Sequence, residues 1–254
     1  MSGSDSDPTV AAVDRASRVD PLLVLVAVSV EARRLARALG LSADRAEEAR
    51  RGVILRAVGL GSARLPALSA ALLAFRPQAV LAAGLCGGCA PEMAPGDLVI
   101  GSPVTLRDTG SAGPGLRPPA ELVGRARRAL EAAGLPYRIG PLVTVNEVAA
   151  TPAAKAACWR RHGALAVDME SAHILDWARR AGVPALAVRA VADGPAETLP
   201  AALARAVAGD GRLRLPAALV AVTRPGAAWR LWRRSRVALD RLAAFLAAFT
   251  ASRP

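Results

Sequence analysis

Short apolar runs alternate along this chain with longer segments in which apolar residues recur every three or four positions. Residues 22–28 (LLVLVAV) form a continuous apolar block of strand length. Ser29 follows as a helix N-cap, and helical spacing then runs to residue 39, with Gly40 as its stop. Residues 53–58 read as a second strand, and Gly59-Leu60-Gly61-Ser62 turns the chain into a helix through about residue 75. A third strand over 79–83 leads into a Gly-rich loop, 84–88; a fourth strand spans 97–104, and 111–119 is a Gly- and Pro-rich loop. Helical patterning covers 120–133, 152–161 and 171–181, and strands are predicted over 137–145, 164–167 and 185–191. This alternation predicts the α/β class: a single-domain three-layer fold with a mixed, largely parallel central sheet covered by helices.

Two of these strands, expected to be neighbours in the sheet, end on acids. Segment 164–175 (ALAVDMESAHIL) carries Asp168 and Glu170, and segment 185–194 (ALAVRAVADG) carries Arg189 and, four residues later, Asp193. Ligands of open α/β sheets bind beyond the carboxyl ends of the strands, so a site is expected there. Glu31 lies three residues past the first strand, in the first turn of a helix. A carboxylate at that place is also an ordinary helix acid, favoured by the helix dipole by about 0.3–1 kcal/mol. The same holds for Glu170. Asp193 is harder to explain in this way, because Gly194-Pro195 prevents direct continuation into a helix.

Composition narrows the picture. Aromatic residues make up 3% of the chain, so the core must be built from Ala, Leu and Val. The formal charge is +12, yet Lys155 is the only lysine and every other basic residue is arginine. An Ala/Arg bias of this kind accounts for the charge without a nucleic-acid partner, and none is expected. No apolar run reaches the roughly 18–20 residues of a membrane span. The segment before the first strand carries Asp5, Asp7, Asp14 and Asp20, whereas a secretory leader should be positive. A disordered leader over 1–19 and a cytoplasmic protein are expected. The three cysteines argue against a disulfide framework. Cys86 and Cys89 form a CxxC, and Cys158 and His162 stand four apart, an imitation of a zinc or redox site. The two halves are far apart in sequence, and no metal is expected.

The tail differs from the rest. Over 227–254 it reads as a basic amphipathic helix, with Trp229, Trp232, Phe245 and Phe249 interleaved with Arg230, Arg233, Arg234, Arg236 and Arg241. Three readings stand: the last helix of the domain, a helix lying in a membrane interface, or a nucleic-acid patch. The interfacial reading would place the protein on the inner face of the cell membrane. The catalytic domain itself is expected over 20–226.

Four segments carry a resemblance: AVSVEARRL (27–35), AAGLCGG (82–88) with PGDLVI (95–100), AVDMESAHI (166–174) and AVRAVAD (187–193). In order and spacing they resemble the nucleoside phosphorylase and nucleosidase superfamily over about residues 22–205. Within it, LAAGLCGG, TPAAKAA, ALAVDMES and RAVADGPAETLP are similar to the hopanoid-associated phosphorylase branch, which acts on adenosylhopane. The resemblance implies cleavage of the N-glycosidic bond of a purine nucleoside, with release of adenine. It implies that Glu170 holds the ribose hydroxyls, Met169 packs under the sugar and Asp193 serves purine N7 as acid. Arg189 stands near the nucleophile, and Glu31 activates water where water is the nucleophile. Gly84, Gly87 and Gly88 approach the ligand, and Leu85, Cys86 and Val148 line its pocket. A homo-oligomer is also implied.

Some positions depart from the pattern. Leu85 and Cys86 stand where Ser or Thr is usual, and Val148 where an aromatic would stack on the base. A wider, greasier pocket for a lipid-linked nucleoside is expected. Leu81-Ala82-Ala83 lacks the arginine that holds phosphate in hexameric phosphorylases. No cofactor is expected; the nucleophile remains open between phosphate as co-substrate and water. Two further readings stand: a soluble methylthioadenosine/S-adenosylhomocysteine-type nucleosidase, and a non-catalytic nucleoside-binding module.

Overall fold

The computed structural model describes residues 21–41, 52–107, 115–199 and 225–252. The leader expected over 1–19 lies outside the described residues, as do 111–114 of the predicted loop and 200–224 of the predicted domain.

Strand β1 (Leu22–Val26) shows how the sequence builds the layers. Side chains alternate across a strand, so Leu22, Val24 and Val26 face one side of the sheet and Leu23 and Leu25 the other, all buried. A strand buried on both faces needs helices on both sides. Helices α1 (Ser29–Ala38), α3 (Ala120–Ala132) and α6 (Pro225–Ala251) cover the first face. Helices α2 (Leu65–Leu73) and α5 (Ser171–Arg180) cover the second. The remaining helix, α4 (Pro152–His162), begins at Thr151, whose hydroxyl accepts the Ala154 N–H, and stops at Gly163 in the left-handed conformation.

The other strands are β2 (Val53–Ala57), β3 (Ala79–Gly88), β4 (Leu98–Arg107), β5 (Tyr137–Val145), β6 (Ala166–Asp168) and β7 (Ala185–Asp193). They form one seven-stranded sheet in the order β2-β1-β3-β6-β5-β4-β7, and β7 also pairs with β3. That last pairing closes a ring of five strands. Most pairs are parallel; β3–β6 and β4–β7 are antiparallel. The sheet is thus mixed and largely parallel, as the alternation predicts.

Three local expectations need correction. The Gly-rich segment 84–88 is not a loop but the second half of β3, paired with β7 from Gly84↔Arg189 to Gly87↔Asp193. Its glycines hide the strand from an apolar-pattern reading, and partners on both sides supply what side chains do not. The acid-bearing strands β6 and β7 are not neighbours; both pair with β3. At α1, Val28 rather than Ser29 holds the N-cap place, and the Glu31 carboxylate accepts the backbone N–H groups of Ala27 (3.1 Å) and Val28 (3.2 Å).

The tail is one helix that starts at Pro225, and its C-terminal half belongs to the core. Ala238, Leu239, Leu242, Phe245, Leu246 and Phe249 are buried against the first face. The Phe245 and Phe249 rings lie 5.5 Å apart, with the Arg125 guanidinium 4.2 Å from the Phe249 ring centre. Phe249→Ala should therefore destabilise the protein by about 3–5 kcal/mol, the usual range for deleting a buried aromatic ring, measured by urea unfolding. A loss under about 1 kcal/mol would mean that this half of α6 is not part of the core.

Candidate active site

The carboxyl ends of β1, β3, β6 and β7 converge on a buried cation. Arg189 is fully buried in the middle of β7. Its Nε lies 2.7 Å from Asp168 Oδ2 and donates to Ser171 Oγ at 2.9 Å, and its Nη1 stands 3.5 Å from Glu170 Oε2. Glu31 approaches from the first turn of α1. The guanidinium can lie here because residue 84 has no side chain: a Cβ on Gly84 would come within 2.6 Å of Arg189 Nη1 and 3.3 Å of Glu31 Oε1. Gly84 also has φ +148°, where glycine is favoured.

Each carboxylate is fixed by further donors. Glu31 Oε1 accepts the Leu85 N–H at 3.1 Å. Glu170 Oε1 accepts the Gly61 N–H at 3.0 Å. That donor is aimed by the turn after β2, in which Gly61 and Ser62 both take left-handed φ values of 58° and 60°. Asp168 Oδ1 accepts from Thr144 Oγ1 at 2.6 Å, and the Thr144 oxygen accepts the Ala172 N–H at 2.9 Å.

The last acid has its own cation. Lys155, fully buried on α4, forms an ion pair with Asp193. The same ammonium donates to the carbonyls of Gly194 (2.9 Å) and Glu197 (2.8 Å). All three donors of the lysine are thereby used, which is the condition for burying an ammonium.

Between these groups lies a cavity of about 240 Å³. Of the predicted site residues, Glu31, Leu85, Cys86, Gly87, Val148, Met169, Glu170 and Asp193 line it. Gly84 and Arg189 do not. Arg189, expected beside the nucleophile, lies behind the wall and holds the carboxylates in place. Gly84 makes room for that guanidinium. A Cβ on Gly87 would meet Val167, Asp193 and Lys155 at 3.4–3.5 Å, ordinary contact distances, while one on Gly88 would press on Met93 at 3.0 Å. A larger cavity of about 930 Å³, bordered by Leu106, His173, Asp176 and Arg179, touches none of the predicted residues.

Sequence reading missed Lys155, Thr144, Ser171 and the Gly61 amide, and did not use Asp168. Lys155 had a signal: one lysine kept in a chain otherwise wholly arginine. The others are visible only once β5, β6 and the turn after β2 are brought together. The cysteines are spread differently from a metal site. Cys86 and Cys89 are buried, the Cys89 thiol donates to the Gly87 carbonyl at 4.0 Å, and the proximity of Cys89 lowers the Cys158 thiol to about 7. Among the described residues, no group of three or more His, Cys, Asp or Glu side chains is placed to hold a metal ion.

Burial shifts three of the acids upward. Burial pushes Glu170 up to about 7; Arg189 opposes the shift, and Asp168 and Glu31 add to it. Burial also raises Glu31 against the pull of Arg189 and three backbone amides, and raises Asp193 against the pull of Lys155. Arg189 is itself desolvated, which opposes its charge, but Asp168, Glu170 and Glu31 outweigh this and hold it above its ordinary value.

In fold, the chain matches enzymes that cleave nucleosides. The 5′-methylthioadenosine/S-adenosyl homocysteine nucleosidase of Helicobacter pylori superposes with a TM-score of 0.68 at 15% identity, over 92% of this chain and 99% of that one. The futalosine hydrolase of Helicobacter pylori gives 0.67 at 15%, over 92% and 99%. The Neisseria meningitidis 5′-methylthioadenosine/S-adenosylhomocysteine nucleosidase, in complex with methylthio-immucillin-A, gives 0.69 at 19%, over 92% and 100%. In sequence, the phosphorylase superfamily model matches residues 45–224. A futalosine hydrolase of Streptomyces coelicolor is 37% identical over 202 residues, 68% of this chain and 83% of that relative. The chain belongs to the phosphorylase superfamily, on its nucleosidase (N-ribosyl hydrolase) side.

The raised acids set a pH dependence. The folded protein holds protons on Glu170 that the unfolded chain releases above its ordinary value of 4.5, so stability falls as pH rises from about 4.5 to about 7. The shift from 4.5 to about 7 corresponds to about 3 kcal/mol for Glu170. Glu170→Gln should flatten the fall in thermal midpoint of the ligand-free protein over that window. A slope unchanged by the substitution would contradict the assignment.

Proposed function

We propose that the protein hydrolyses the N-glycosidic bond of a purine nucleoside that carries a large apolar 5′-substituent, with adenosylhopane as substrate. The products are adenine and ribosyl hopane. The observation that carries the choice of water over phosphate is the charge of the cavity wall. Glu31, Asp168, Glu170 and Asp193 line it, and no Lys or Arg does so among the described residues. A phosphate dianion would meet carboxylate oxygens directly, with Arg189 and Lys155 set behind them rather than in the described lining. Water has no such difficulty.

The steps follow from the groups present. Glu170 accepts hydrogen bonds from the ribose hydroxyls, for which two carboxylate oxygens are well matched. As the bond from C1′ to the purine breaks, its electron pair passes to the base, and Asp193 gives a proton to N7. Such general acid catalysis is worth about 10²–10⁴-fold. The carboxylate left on Asp193 is stabilised by the Lys155 ammonium, so the pair is complementary to the charge that develops. Water adds to C1′ and yields its proton to Glu31, which burial makes a stronger base than an ordinary glutamate. Positive charge developing on the sugar faces the acidic wall. Arg189 acts through the carboxylates it holds and is a positioning residue.

The apolar part of the lining supports the substituent. Val28, Leu60, Leu85, Val145, Val148 and Leu199 surround the cavity. The 37% identity to a futalosine hydrolase favours a second reading, futalosine as substrate. The methylthioadenosine/S-adenosylhomocysteine reading is kept as a third arm of the test.

Incubation with adenosylhopane, futalosine and methylthioadenosine, each followed by base release, distinguishes the three. The expected result is fastest release from adenosylhopane, lowered about 10²–10⁴-fold in Asp193→Asn, with nucleoside binding retained. Faster release from either other nucleoside overturns the substrate. Undiminished turnover in Asp193→Asn overturns the mechanism, and no release from any of them points to a binding module.

A further inference from the structure

The N-terminal half of α6 does not behave like its C-terminal half. Beyond the core residues that begin at Ala238, the helix turns Trp229, Trp232 and Val237 to solvent, with exposures of 56%, 54% and 43%. The other two tryptophans, Trp159 and Trp177, are half-buried, and Trp177 donates its indole N–H to Ser69. The exposed rings carry guanidinium groups: Arg233 stands 5.6 Å from the Trp229 ring centre and Arg236 stands 4.7 Å from that of Trp232. Arg230, Arg233 and Arg236 are themselves exposed. From 225 to 239 the helix has four arginines and no carboxylate.

This segment is also tied to the active site. Arg234 pairs with Glu197, whose backbone carbonyl accepts from Lys155, the partner of Asp193. Arg34 of α1 pairs with Asp240 of α6, and Val30, next to Glu31 at the start of α1, is 58% exposed. The exposed aromatic and cationic face therefore adjoins the elements that carry both ends of the chemistry.

We propose that this face docks on an anionic lipid surface, with the indole rings in the headgroup region and the arginines on lipid phosphates. Interleaved indole and guanidinium groups without acids are what a helix lying in that interface requires. The anionic surface supplies the negative charge that the segment itself lacks. A nucleoside linked to a lipid would then reach the pocket without leaving the membrane; this consequence rests on the substrate reading above, while the docking does not. No helix among the described residues is long and apolar enough to cross a membrane; the association proposed is peripheral.

The test uses the full chain without substrate, so it can fail while turnover stands, and stand while turnover fails. The protein is sedimented with vesicles of phosphatidylglycerol and phosphatidylcholine, and with phosphatidylcholine alone. Binding to the anionic vesicles is expected, weakening as salt rises. Each arginine near such a surface multiplies partitioning about fivefold, so Arg230→Glu, Arg233→Glu and Arg236→Glu together should lower it on the order of a hundredfold. Trp229→Ala with Trp232→Ala should lower it about tenfold or more. The thermal midpoint should stay unchanged in both variants, because these side chains are exposed. The proposal is overturned if the wild type stays in the supernatant, or if the variants pellet as it does. It is equally overturned if the substitutions instead dissociate a dimer in sedimentation velocity, or if the protein retains duplex DNA but not vesicles.

Discussion

The site depends on one buried cation. Arg189 sits in the middle of β7 with no exposure to solvent, and Asp168, Glu170 and Glu31 gather around it from β6, the start of α5 and the start of α1. None of these groups would be stable in that place alone. A carboxylate taken from water without a partner costs several kcal/mol, and removal of one member of a buried pair typically costs about 3–5 kcal/mol. The arginine thus fixes the geometry of three acids at once. Its own place depends on Gly84, because a single added carbon on the neighbouring strand would come within 2.6 Å of the guanidinium. Sheet pairing, glycine and charge form one arrangement.

A second pair works beside the first. Lys155 holds Asp193 as Arg189 holds the other acids, but through a compact ammonium whose remaining donors are taken by two backbone carbonyls. In the proposed reaction, arginine supports the sugar side and lysine the base side, so that one end of the cavity has acids for a ribose and a water molecule and the other an acid supported for proton transfer. Among the described residues neither cation lines the cavity, and its wall is made of four acids and mainly apolar residues. Within a superfamily that includes phosphorylases, such a wall is suited to water.

Much of the fold was legible because strands buried on both faces leave short continuous apolar runs, while the helices between them repeat every three or four residues. Strand β5 matches its predicted range of 137–145, and the helices end within a residue or two of their signals. The Gly-rich half of β3 was not legible, since glycine carries no apolar pattern and the pairing that makes it a strand comes from β7, about a hundred residues away. The same distance hid the site's support. Glu31, Glu170 and Asp193 stand at strand ends in the sequence, so each could be found. That Arg189 serves from behind the cavity, rather than within it, follows from burial that no local pattern displays. Lys155 was marked by composition alone, and its partner could be known only from the packing of α4 on β5 and β6, from which the Lys155 side chain reaches the end of β7.

The most direct test of this account is the fate of the nucleophile. The reaction is run in heavy-oxygen water with inorganic phosphate present, and the sugar product is analysed by mass spectrometry. The account predicts a free ribosyl product that carries one heavy oxygen at C1′, in equal yield with and without phosphate. A ribose 1-phosphate, formed only when phosphate is supplied, would contradict it.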